Sequence, residues 1–126
     1  MKHDFSTANT ILYCKKWEKT VSFYQNQLCL PVRFRNEWFV EFALNAGSSL
    51  SVADEKRSTI KGSRGRGVTL SLEVQDIHAV WEQIKKIGLT PTEIRSHPWN
   101  AMVFYLFDPE GYRIEIWEST AIESEV

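Results

Sequence analysis

Phe104-Tyr105-Leu106-Phe107-Asp108-Pro109-Glu110-Gly111-Tyr112-Arg113-Ile114-Glu115-Ile116-Trp117 is two extended runs joined by a turn. In Asp108-Pro109-Glu110-Gly111 the proline fixes one φ and the glycine permits a positive one, which is what a tight reversal requires. After the turn the side chains alternate. Ile114 and Ile116 belong to a buried face, so Arg113, Glu115 and Trp117 share the opposite face of the same strand. A half-buried strand that carries an arginine, a carboxylate and an indole in a row is the first candidate for function.

Reading outward from this hairpin, the upstream residues Thr92 to Arg95 are expected to form a further strand, and Pro91 ends whatever precedes them. Before Pro91, the apolar residues Ile77, Val80, Trp81, Ile84 and Ile87 recur every three or four positions, which predicts a helix from Asp76 to Ile87 with Gly88 at its end. Earlier still, Val68, Leu70, Leu72 and Val74 alternate as a strand, turning Thr69, Ser71 and Glu73 to the other side. The same pattern occurs once more in the chain. Placing position n over n+60 superposes Leu12 on Leu72, Cys14 on Val74, Trp17 on Ile77, Val21 on Trp81 and Pro31 on Pro91. The first copy therefore predicts a strand at Thr10 to Cys14 and a helix from Trp17 to Leu28. Strands at Val32 to Phe34, Trp38 to Leu44 and Ser49 to Ala53 follow, with a turn at Asn45-Ala46-Gly47. Its last strand matches at an offset of 64, Leu50 over Ile114 and Val52 over Ile116. The order is β-α-β-β-β twice: module 1 at about 8–55, a linker at about 56–66, module 2 at about 67–118 and an acidic tail at 119–126.

The linker is rich in glycine and basic residues. Its glycines precede a strand instead of opening a helix, so it matches neither a dinucleotide fingerprint nor a P-loop and is expected to be a flexible, solvated connector. With 126 residues, 43% apolar, 25% charged and a net charge of −1, the chain can bury a core unaided and has no long-range field to attract nucleic acid or a membrane. Cys14 and Cys29 are spaced for neither a redox pair nor a thiolate metal cage and are expected to be packing residues. No apolar run approaches the ~20 residues of a membrane span, and Met1-Lys2-His3-Asp4 lacks a signal-peptide core, so a cytoplasmic protein is expected.

Two stretches, Leu12-Tyr13-Cys14-Lys15-Lys16-Trp17-Glu18-Lys19-Thr20-Val21-Ser22-Phe23-Tyr24 and the hairpin quoted first, resemble the vicinal oxygen chelate superfamily of glyoxalases, bleomycin-resistance proteins and extradiol dioxygenases. The resemblance runs from about Asn9 to Glu118. It implies an α+β fold of two βαβββ modules whose curled mixed sheets surround a concave cavity with the helices outside, in a homodimer. In metalloenzymes of this family the first and last strand of each module each supply one metal ligand. Those positions fall on Asn9, Ser51, Thr69 and Glu115, and the repeat agrees, since 9+60 is 69 and 51+64 is 115.

An amide and two hydroxyls are weak donors for a transition metal, so Glu115 alone could bind strongly, and no metal or other cofactor is expected. The histidines do not replace the missing ligands. His3 belongs to the N-terminal tail, His78 to the first turn of the second helix, and His97 to a loop beside Pro98 and Trp99. The expected function is binding of a small organic ligand, aromatic or cationic, by Asn9, Ser51, Thr69, Glu73, Arg113, Glu115, Trp38, Trp99 and Trp117, with Phe39, Tyr105 and Glu41 nearby. The alternative is a lyase or dioxygenase-type enzyme with an unusual metal site, or one in which Glu115 is the general base.

Overall fold

In a computed structural model, residues 3–121 are described, and the chain divides between Arg66 and Gly67 into two compact units. Each unit is one βαβββ module.

In the first unit, β1 (Ala8–Cys14), α1 (Trp17–Ser22), β2 (Val32–Arg35), β3 (Phe39–Asn45) and β4 (Ser48–Asp54) follow in order. The sheet order is β1-β4-β3-β2, with β1 parallel to β4 and the other pairs antiparallel. Leu12, Cys14, Val40, Phe42, Leu50 and Val52 are buried on the side that receives Val21, Phe23 and Tyr24. Tyr24 packs against Phe42 at 6.1 Å between ring centroids. The expected helix from Trp17 to Leu28 is shorter as an α-helix. It passes at Phe23 into a π-helical turn, Phe23–Gln27, with Leu28 as its cap. The wider turn leaves both Phe23 and Tyr24 buried, edge to face at 5.0 Å. Cys14 packs as expected, whereas Cys29 is exposed in a positive-φ conformation after that turn, correcting the expectation that it is a packing residue.

In the second unit, β5 (Thr69–Glu73), α2 (Ile77–Lys86), β6 (Arg95–His97), β7 (Ala101–Phe107) and β8 (Arg113–Ser119) give the order β5-β8-β7-β6, again with one parallel pair, β5 and β8. The Asp76 carboxylate caps α2 by accepting from Ala79 N–H (3.1 Å), and the Ile87 cap at its other end is followed by Gly88, whose φ of +90° suits a residue without a side chain. Ile77 and Ile84 of α2 are buried, as are Phe104, Leu106, Ile114 and Ile116 of β7 and β8.

Two expectations for this unit are corrected. The first strand after Pro91 is Arg95–His97, not Thr92 to Arg95. Thr92 instead caps the outer edge of β7, where its backbone N–H donates to Tyr105 O and its hydroxyl accepts from Tyr105 N–H, both at 2.8 Å. His97 is accordingly a strand residue paired with Ala101. The expected tail is structured at its start: β8 runs on through Ser119, and the Glu118 carboxylate just before it accepts from the Ile77 N–H at 2.8 Å, a second cap on α2. The rest of the expected acidic tail from residue 122 lies outside the described residues. Among the described residues, no helix is long and apolar enough to cross a membrane.

The segment between the modules is organised, against the expectation of a loose connector. The turn Glu55–Arg57 opens it, and the Glu55 carboxylate accepts from Gly62 N–H (3.1 Å) and pairs with the Arg64 guanidinium at 2.7 and 3.1 Å. Gly62 passes so close to the Tyr13 carbonyl that any Cβ would collide with it. The Arg64 guanidinium first, and the Gly62 N–H second, hold the Glu55 carboxyl below its ordinary value of 4.5. A depressed carboxylate pKa favours the folded arrangement above the unfolded value, and that contribution is lost as pH falls through the folded one. The Gly62 amide signal followed by NMR during acid titration should therefore move with a midpoint below 4.5. A midpoint at or above that value would show that the Glu55–Arg64 clasp does not form.

Candidate ligand-binding faces

In the second unit, β8 runs straight between β5 and β7, so the residues opposite one another are fixed: Thr69 with Arg113, Ser71 with Glu115, Glu73 with Trp117, and Tyr105 with Glu115. Because Ile114 and Ile116 are buried, Arg113, Glu115 and Trp117 lie together on the other face, as strand alternation requires. Three contacts order this row. The Ser71 hydroxyl donates to Glu115 Oε1 at 2.6 Å. Arg113 Nε donates to the Thr69 hydroxyl at 3.0 Å, and its guanidinium lies over the Tyr105 ring, 4.7 Å from the centroid. Trp117 meets Trp99 edge to face at 5.3 Å.

Trp99 is itself held by His97. Its indole N–H donates to His97 Nδ1 at 3.0 Å, and the two rings are 5.6 Å apart. Accepting at Nδ1 places the neutral imidazole's proton on Nε2. With 48% of its surface exposed, Trp99 offers a largely open ring beside Trp117. Glu73 is exposed on the same face as its cross-strand partner Trp117.

In the first unit, the corresponding face carries Asn9 on β1, Glu41 on β3, and Ser49 and Ser51 on β4. Ser51 donates to Asn9 Oδ1 at 2.7 Å, and Ser49 donates to Glu41 Oε2 at 2.7 Å. Arg33 closes the edge by donating to Ser49 Oγ (2.6 Å), Ser48 O (2.9 Å) and Asn45 O (2.6 Å). Trp38 precedes β3 and packs edge to face on Phe39 at 5.6 Å, and Phe39 lies 6.2 Å from Phe34.

Of the nine residues expected to bind a ligand, the structure thus joins Asn9 to Ser51, Thr69 to Arg113 and Trp99 to Trp117. It places Glu73 opposite Trp117, the neighbour of Glu115 in the β8 row. Trp38 is committed to an apolar cluster of the first unit. Sequence reasoning passed over Ser71 as a ligand-site residue, although the alternation that turns Thr69 and Glu73 outward turns it outward too.

The modules are not chemically symmetric. Asn9 and Ser51 form a diagonal pair, and the equivalent pair in the second module would be Thr69 and Glu115. That pair is not bonded, because Ser71 stands where the first module has Ile11 and captures Glu115, while Arg113 stands where it has Ser49 and captures Thr69.

The four positions that hold a metal in related enzymes do not fit a transition ion here. They supply one carboxylate, one amide and two hydroxyls, and the Thr69 oxygen already accepts from a cation. A guanidinium that close would repel a divalent ion at the same oxygen. No group of three or more His, Cys, Asp or Glu side chains is arranged to hold a metal among the described residues.

Paired βαβββ modules define the vicinal oxygen chelate fold. A glyoxalase-like domain family matches residues 7–121, and the chain belongs to that family. No curated protein matches the chain in sequence. Among solved structures, a glyoxalase/bleomycin resistance protein/dioxygenase from Nocardioides is similar with a TM-score of 0.79 at 20% identity, over 100% of this chain and 91% of that one. A lactoylglutathione lyase from Agrobacterium tumefaciens aligns with a TM-score of 0.76 at 15% identity, over 94% and 97% of the two chains. TnmS3, an antibiotic binding protein from Streptomyces sp. CB03234, aligns with a TM-score of 0.71 at 19% identity, over 94% and 97%.

Proposed function

We propose that this protein binds a planar, cationic organic molecule without a metal, and that the β5-β8-β7 face of the second module carries the binding. The observation behind this reading is the row on β8. Trp117, braced by the half-exposed Trp99, gives a stacking surface, and Glu115 and Glu73 put negative charge next to it. Flat rings stack well on indole, and a cation gains further from the ring faces and the carboxylates. Only Oε1 of Glu115 is occupied by Ser71, and among the described residues no protein donor meets Oε2. The hydroxyl therefore orients the carboxylate and leaves one oxygen for a ligand. The antibiotic-binding activity of the similar Streptomyces protein is compatible with a binding role for this fold.

Titrating the protein with N-methylquinolinium, read by quenching of tryptophan fluorescence, tests the charge component. Glu115→Gln should weaken this cation by roughly 1.5–3 kcal/mol, about 10- to 150-fold, and should leave neutral quinoline unaffected. Equal binding of the cation by both proteins would remove Glu115 from the site.

A further inference from the structure

We propose that Arg113 is an anion receptor and that the ligand is therefore an aromatic ammonium carboxylate, a molecule with an aromatic ring, a cationic nitrogen and a terminal carboxylate in that order. The inference rests on the binding face described above and names the chemistry of its ligand. It begins with how the arginine is held. One donor, Nε, is spent on the Thr69 hydroxyl, and the flat of the guanidinium rests on Tyr105. These contacts fix the plane and direction of the group without using its terminal fork. Among the described residues no protein oxygen meets the two Nη atoms, although Glu115 is only two residues along the strand.

Arg33 in the first module shows the contrast. Three of its four Nη–H donors are spent on Ser48 O, Ser49 Oγ and Asn45 O, so its fork staples the strand edge. A guanidinium held at Nε with an open fork matches the two oxygens of a carboxylate, and because its rotamers are already restricted, little entropy is lost on binding.

The spacing sets the order of groups. Trp117, Glu115 and Arg113 alternate along one strand, so neighbours in the row are separated by roughly 7 Å and the ends by roughly 13 Å. A ligand lying along β8 would place its ring on Trp117, its cation at Glu115 and its anion at Arg113. Each group meets its complement; reversing the molecule keeps its central cation at Glu115 but takes the carboxylate off Arg113 and sets it at Trp117, opposite the Glu73 carboxylate. The row thus selects orientation as well as composition.

The probes are N-(naphthylmethyl)-γ-aminobutyrate, which has all three groups, and its primary amide, which lacks only the anion. With wild-type protein in low salt, calorimetry should show the acid binding about tenfold or more tightly than the amide. Arg113→Ala should erase that preference while keeping the amide's affinity, and Arg113→Lys should restore part of it. As the arginine is exposed, both variants should melt like the wild type. Equal binding of acid and amide by the wild type, or a preference that survives in Arg113→Ala, overturns the anion receptor and leaves the aromatic site standing. Binding of neither probe overturns the proposed site and the receptor together.

Discussion

Asp108→Ala is expected to destabilise the protein by about 3 kcal/mol, the largest loss from any single side chain outside the apolar core. The Asp108 carboxylate is almost wholly buried, and its Oδ1 accepts from three successive backbone donors: Glu110 N–H at 3.0 Å, Gly111 N–H at 3.0 Å and Tyr112 N–H at 2.9 Å. Alanine removes the one oxygen that all three N–H groups share; the Gly111 N–H keeps the Asp108 carbonyl at 3.0 Å, and weakening the remaining bonds of this buried turn carries a desolvation penalty. Thermal unfolding should show the midpoint falling by about 10 °C. Asp108→Asn keeps an acceptor oxygen and should lose less. An alanine variant that melts with the wild type would mean that the turn closes without its carboxylate. The consequence reaches the site, since this turn sets the register that puts Tyr105 opposite Glu115.

Trp117→Ala is expected to have the largest effect on binding, lowering affinity for N-methylquinolinium by about 2–3 kcal/mol, roughly 30- to 150-fold. The substitution removes one indole and the edge-to-face support of the other, Trp99. Trp99→Ala removes only the more exposed ring and should cost less. Trp117→Phe keeps an aromatic surface and should recover much of the loss, which separates a stacking role from simple support of the sheet. Trp117→Ala binding as tightly as the wild type in calorimetry would place the aromatic ligand elsewhere.

The parts of this fold that were legible in sequence are those where one local rule decides the outcome. Alternation of Ile114 and Ile116 with Arg113, Glu115 and Trp117 predicts the two faces of β8, and the structure has them. The offsets of 60 and 64 predict that β1 and β4 repeat as β5 and β8, and both pairs are parallel in matching register. The second helix, Ile77–Lys86, lies between its Asp76 and Ile87 caps, as the pattern indicates.

The rest depends on partners distant in sequence. Thr92 has the composition of a strand residue, but its hydroxyl and backbone both serve Tyr105, so the ladder begins only at Arg95. Glu118 stands at the edge of the acidic terminus, and its role as a cap is set by Ile77, far back in the chain, whose N–H it accepts. The connector's glycines suggest slack, yet one of them is required by the approach of Tyr13, and Glu55 gathers the loop around itself.

The candidate site divides in the same way. Its residue types and their shared face follow from spacing. Its bonding does not, because a repeat predicts equivalent partners and the second module exchanges them. Nothing in the spacing distinguishes a Thr69–Glu115 pair from the Thr69–Arg113 and Ser71–Glu115 pairs that form. That exchange puts a guanidinium on an oxygen that a metal would otherwise use, and it is the strongest structural argument for a metal-free site.

Elemental analysis of protein purified without chelator tests the metal-free account most directly, and it should be accompanied by an assay for glyoxalase I activity after addition of Zn²⁺, Ni²⁺, Fe²⁺ or Mn²⁺. The expected result is no stoichiometric transition metal and no activity with any of the four ions. One tightly bound metal per chain, lost in Glu115→Gln, would contradict the account and make the row on β8 part of a metalloenzyme site.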